Sequence, residues 1–155
     1  MTIKPYNAYE DEALDKGDNA SKTVVRKNIS RFLREYLQHT EVDPGDSEAR
    51  LWPPDTKDVT FELVRGADRV HLGYIRSLSP QKSGAGSIAL KWLCNLADKN
   101  KVVLDLVVAH HTGKNAKLSK LELAAWYRRN GFIDDPESGE SSMVRFPLKS
   151  RGWPI

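Results

Sequence analysis

Gln81-Lys82-Ser83-Gly84-Ala85-Gly86-Ser87-Ile88-Ala89-Leu90-Lys91-Trp92-Leu93 joins a glycine loop directly to an amphipathic helical pattern that runs to about Lys99. Glycines just before a helix let the backbone approach an anion. The unpaired N–H groups at the helix start, at the positive end of its dipole, then face the ligand. The same glycines also serve a plain strand-to-helix turn, so the loop alone supports both readings equally and its surroundings have to decide. Upstream, Val59-Thr-Phe-Glu-Leu-Val-Arg65 alternates apolar and polar residues, Gly66-Ala-Asp-Arg69 reads as a turn, and Val70 to Leu78 resumes the extended pattern, which predicts an antiparallel hairpin. Downstream, Val102-Val-Leu-Asp-Leu-Val-Val-Ala109 is rich in β-branched residues and reads as a buried strand. A polar loop over 110–118 follows. Ser119-Lys-Leu-Glu122 is a capping-box pattern that opens another helix, and Asn130-Gly131 closes it. Phe132-Ile133, a turn over 134–140 and a strand from Ser142 to Leu148 complete a final pair.

Toward the N-terminus, Val25, Ile29, Phe32, Leu33, Tyr36 and Leu37 recur at three- and four-residue spacing and predict a helix over 21–39. Its other face carries Lys22, Arg26, Lys27, Arg31 and Arg34. Such a basic face is most often simply solvated, although it also suits contact with nucleic acid or acidic protein. Residues 1–20, acidic over Glu10 to Asp18, are expected to form an arm. Residues 43–58, with Asp43-Pro-Gly-Asp46 and Trp52-Pro-Pro-Asp55, read as a linker of turns and extended chain. The expectation is one mixed α/β domain over 1–155, without internal repeats.

A length of 155 residues suits a single domain. A hydrophobic share of 39% with thirteen aromatic residues excludes disorder of the whole chain. No apolar run is long enough to span a membrane and Met1-Thr-Ile-Lys-Pro5 lacks an apolar h-region, so an unprocessed cytoplasmic protein is expected. The lone Cys94 excludes an intramolecular disulfide and a multi-cysteine zinc site, and its helical pattern reads as a small buried hydrophobe. The formal charge of +3 divides into −2 for residues 1–50 and +5 for residues 51–155. That distribution suits an anionic ligand of the second half.

Gly84-x-Gly86-x-x-Ala89 also satisfies the dinucleotide fingerprint, with Asp105 as the ribose ligand. That reading requires a βαβ unit feeding further parallel strands, whereas an antiparallel hairpin precedes the loop and only about fifty residues follow the helix. A second motif points elsewhere: Leu123-Ala-Ala-Trp126-Tyr127-Arg-Arg-Asn-Gly131-Phe132. Gln81-x-x-Gly84-x-Gly86 together with Trp126-Tyr127-x-x-x-Gly131-Phe132 resembles the GNAT superfamily of acetyl-CoA-dependent N-acetyltransferases. The resemblance spans about residues 59–147 and is similar also to compact members found in phages and mobile elements.

The resemblance implies an α/β (α+β) fold with a central mixed, mostly antiparallel sheet flanked by helices and a reduced N-terminal part. It implies acetyl-CoA as cosubstrate, with Gln81, Lys82, Ser83, Gly84, Ala85, Gly86 and Ser87 around its pyrophosphate. Leu78 and Ser79, at the end of a strand that splays from its neighbour, would offer backbone groups to the pantetheine arm, as would Val107 to Ala109. Tyr127 would protonate the departing thiolate. This sequence has Gln81 where the family usually has Arg, Lys120 where many members have a pantetheine-binding Asn, with Asn115 as the substitute, and no counterpart of the first family strand in residues 1–20.

For the general base, the first candidate is Glu62, with Thr60 and Val64 on its face of the strand. His110, with His111 beside it, follows the central strand and should border the cleft. Adjacent histidines point to opposite sides of an extended chain, so no shared metal site is expected. The expected function is acetyl transfer to a primary amine of a small molecule, a protein or a modified nucleobase, without metal or membrane. A homodimer and a nucleic-acid or protein partner stay open. The alternative is a non-enzymatic module of the same fold that uses the basic helix around Arg26–Arg34 as its contact.

Overall fold

A computed structural model describes residues 16–78, 84–108 and 119–148, with no side-chain description for 16–20. Helix α1 spans Lys16–Gln38 and begins five residues ahead of the expected start, which shortens the arm. Most of its stripe is buried as the spacing predicts: Ile29, Phe32 and Tyr36 are inside, with Val25 and Leu33 packed partly against them. Leu37, in the last turn, is exposed because among the described residues no element covers the helix end there.

The expected linker over 43–58 is instead largely a hairpin. Strands β1 (Glu41–Asp43) and β2 (Asp46–Trp52) pair antiparallel, with Glu41 opposite Leu51 and Val42 opposite Arg50. Asp43-Pro-Gly-Asp46 is its turn. Gly45 N–H donates to Asp43 Oδ1 at 2.8 Å and Glu48 N–H donates to Asp46 Oδ1 at 3.0 Å. These aspartates substitute for ladder bonds at the bend. Ala49 and Leu51 alternate with exposed Glu48 and are buried, a period-two signal hidden by the flanking prolines.

Strands β3 (Val59–Arg65) and β4 (Val70–Ser77) form the expected hairpin. Helix α2 (Ala85–Asn100) carries the chain to β5 (Leu104–Val107), which lies parallel to β4. Then come α3 (Lys120–Arg129), β6 (Ile133–Asp134), a 3-10 turn over Pro136–Ser138 and β7 (Ser142–Arg145). The sheet order is β1-β2-β3-β4-β5-β7-β6, and β4–β5 is its parallel pair. The fold is therefore the expected α+β arrangement, a mixed, mostly antiparallel sheet flanked by helices.

Helices α1 and α2 pack against each other, and α2 against β3 and β4. Leu90, Leu93 and Ala97 of α2 meet Phe61, Leu72 and Leu104 of the sheet in one core, and Cys94 is buried in it. Asn100 joins the helices: Nδ2 donates to Glu35 Oε1 at 3.0 Å and Oδ1 accepts from Arg31 Nε at 2.8 Å. Glu35 also pairs with Lys99 at 2.8 Å, and these hydrogen bonds, Lys99 first, hold its carboxyl below the usual range. Among the described residues no helix is long and apolar enough to cross a membrane.

Arg145, 4% exposed, fastens the far side. Its Nη1 and Nη2 donate to the two carboxylate oxygens of Asp98 at 2.8 and 2.9 Å, and its Nε donates to Asn130 O at 2.8 Å. One guanidinium thus binds β7, the last turn of α2 and the end of α3, in the fork geometry that suits arginine. Replacing it strands the Asp98 charge in a half-dry site. Arg145→Ala is expected to lower unfolding free energy by about 3–5 kcal/mol, measured by urea denaturation.

Candidate functional site

Three features make up the candidate site. The first is the start of α2. Gly84 caps the helix with φ 87° and ψ −4°, a left-handed conformation that favours glycine, and no side chain supplies a capping hydrogen bond. The first turn has no acidic residue, and among the described residues a Cβ placed on Gly84 would meet nothing within 4 Å. Helix geometry gives the N–H groups of Ala85, Gly86 and Ser87 no acceptor within the helix, so an anion finds donors and room here.

The second is α3. Its capping box is formed as the spacing predicts: Ser119 N–H donates to Glu122 Oε1 at 2.8 Å and Glu122 N–H to Ser119 Oγ at 3.1 Å. Trp126 Nε1 donates to Ser87 Oγ at 2.9 Å, and the Trp126 ring lies over Gly86. Tyr127, 8% exposed, is clasped by Trp126 and Phe132, with ring centroids 5.0 and 5.5 Å away. Its hydroxyl has no hydrogen-bond partner among the described residues. Burial pushes the phenol up to about 12, so it holds its proton well above neutral pH.

The third is the opening between β4 and β5. They pair only through Val70 with Leu104 and His71 with Asp105. Beyond His71, β4 continues along β3 while β5 continues along β7. The cause lies in β4: Glu62 pairs with Tyr74 and Leu63 with Leu72, so Gly73 is an extra residue on that strand. A bulge of this kind bends its strand and ends pairing. Gly73 also accepts a close approach, because a Cβ there would lie 3.1 Å from Glu62 Cδ. Glu62 thus rests over the bulge.

His71 Nδ1 lies 2.8 Å from Asp105 Oδ1, and Arg69 Nη1 lies 3.8 Å from Asp105 Oδ2. His71 Nε2 has no partner among the described residues. The sequence reading did not single out His71 and weighed Asp105 only as a ribose ligand. The available signal was a carboxylate inside the apolar run 102–109, which demands a partner; which strand supplies it is a matter of pairing.

Of the other expected site residues, Leu78 is exposed at the end of β4, and Gly84, Ala85, Gly86 and Ser87 form the start of α2. Ser79, Gln81, Lys82, Ser83, His110 and Asn115 lie outside the described residues. Gly86 and Ser87 are brought against the α3 segment that holds Tyr127, whereas Glu62 stands with His71 at the bulge. Among the described residues no group of three or more His, Cys, Asp or Glu could hold a metal ion.

No family model matches the chain, and no curated protein does. Among solved structures the chain is similar to the crystal structure of the anti-CRISPR protein AcrVA5, at 16% identity and a TM-score of 0.45, over 58% of this chain and 92% of that one.

The contact at the bulge has a direct check. Gly73→Ala is expected to cost about 1–3 kcal/mol through crowding of Glu62. In the double-mutant cycle with Glu62→Ala, read by urea denaturation, most of that cost should vanish.

Proposed function

We propose that the chain is an N-acetyltransferase that takes acetyl-CoA at the start of α2 and transfers its acetyl group to a primary amine beside the β4 bulge. What carries the reading is the 2.9 Å hydrogen bond from Trp126 to Ser87, which unites two motifs 39 residues apart in sequence. That contact supports reading the helix start and the protonated phenol as parts of one site. The uncapped, carboxylate-free first turn of α2 fits a pyrophosphate. The edge of β4 beyond His71 has no strand beside it among the described residues, and it fits an extended amide-bearing arm. Acetyl-CoA, when bound, supplies an acyl carbon on a thiolate leaving group.

The residues of the chain then have distinct tasks. The N–H groups of Ala85, Gly86 and Ser87 neutralise phosphate charge and fix the reacting end by holding the other. Tyr127 keeps a proton at Oη and delivers it to sulfur as negative charge develops there. The incoming amine forms its N–C bond as the C–S bond breaks, and its surplus proton needs an acceptor. Among the described residues Glu62, which rests over Gly73, and His71, two positions before it on β4, are the candidate acceptors. Asp105 holds His71 at Nδ1 and leaves Nε2 as the basic nitrogen.

Calorimetric titration with acetyl-CoA against NAD is the first test: acetyl-CoA should bind and NAD should not, and the reverse would sink the proposal. Tyr127→Phe should keep coenzyme affinity and fold stability, because its hydroxyl has no partner to lose, while turnover falls on the order of 10²-fold. Unchanged turnover would leave Tyr127 as a core aromatic. Since burial raises this phenol to about 12, the wild-type rate should show no loss from its ionisation as the pH passes 10, the ordinary tyrosine value. His71→Gln should lower kcat/KM by about 10²-fold or more at neutral pH while leaving coenzyme affinity unchanged in calorimetry.

A further inference from the structure

The cations of α1 do not stand on a merely convex, solvated face. Arg26, Lys27, Arg31 and Arg34 are joined by Arg65 from the end of β3, and the five line an open groove of about 480 Å³. Arg65 is held there by donating through Nη2 to the Arg26 carbonyl oxygen at 3.3 Å. Among the described residues none of the five makes an ion pair. Arg31 donates only to the neutral side chains of Asn100 and Asn28, both at 2.8 Å. The sequence has no acidic residue between Asp18 and Glu35. Lys27 and Arg31, four apart, and Arg31 and Arg34, three apart, lie at spacings where like charges repel along a helix. Among the described residues the groove is thus a concentrated positive field without a paired counter-charge.

We propose that this groove binds the phosphate backbone of a nucleic-acid duplex, independently of acetyl transfer. The rest of its lining is Thr23 and Ser30, whose residue types, with arginine and lysine, are those that hold phosphate oxygens. Among the described residues no aromatic side chain lines it, and single strands are gripped chiefly by such stacking platforms. Nor does an apolar anchor among the described residues line it, whereas protein partners are gripped chiefly by buried aromatic and aliphatic side chains. From Arg26 to Arg34 the helix rises about 12 Å, the length of three to four base pairs. Contacts confined to phosphates make the binding independent of base sequence.

The test is fluorescence anisotropy of the full chain with a labelled duplex of about 20 base pairs, as DNA and as RNA, over salt from about 50 to 200 mM. Binding is expected to weaken with salt, with a log–log slope of about −3 to −5 for three to five phosphate contacts. Arg26→Gln/Arg34→Gln, checked for folding by circular dichroism, should lower affinity at least about tenfold and reduce the slope by about two. Lys91→Gln/Arg129→Gln removes the same charge from exposed sites on α2 and α3 and should change affinity by less than about twofold. A preference for either duplex supports the assignment and identifies its source. Absence of salt-dependent binding to both duplexes, equal losses in the two double variants, or tighter binding to polyglutamate would each overturn it.

Discussion

The parallel contact between β4 and β5 is two residues long, Val70 and His71 against Leu104 and Asp105, and the candidate site exists because it stops there. A longer ladder would satisfy the facing edges of both strands and close the sheet. The bulge at Gly73 prevents that by turning β4 away while β3 stays paired with it. Backbone groups along the opened edge then need partners from outside the sheet, since leaving them dry and unpaired is costly. An opening of this kind persists only if both sides are held firmly elsewhere.

They are held by unlike means. On the β4 side, Phe61, Leu72 and Tyr36 belong to the packed core, and Trp92 stacks on Trp52 with ring centroids 5.1 Å apart. On the β5 side, Arg145 binds Asp98 and the end of α3 in a nearly dry site, where such a pair confines geometry closely. At the start of α2, Ser87 accepts from Trp126 of α3. Tyr127 thus lies between two anchored positions in the C-terminal half of α3, Trp126 and Asn130, which together fix where its ring sits.

Charge shows a different side of the same point. Residues 1–50 sum to −2, yet α1 within them lines a groove with four cations, Arg26, Lys27, Arg31 and Arg34. Arg65, from the other half of the chain, completes it. Net charge by segment pointed to the second half as the anion-binding part. The fold gathers cations from both segments in one groove, because potential depends on which side chains share a concavity.

Much of the fold was legible in the sequence. The α1 stripe, the β3–β4 hairpin, the capping box of α3 and the burial of Cys94 follow from periodicity, turn chemistry and local hydrogen bonding, all of which act within a few residues. The β1–β2 hairpin was not legible, because prolines and glycine around short strands resemble a linker until a neighbouring strand gives them partners. Of the candidate site, the helix start at Gly84 and the aromatic pair on α3 could be recognised from residue type and spacing. The seating of Glu62 on Gly73, the meeting of His71 with Asp105 and the closing of the basic groove by Arg65 could not. By itself the sequence determined the elements and the chemical groups available to them. Tertiary structure alone decided which of those groups meet, since strand register and the point where pairing ends depend on contacts between residues far apart in the chain.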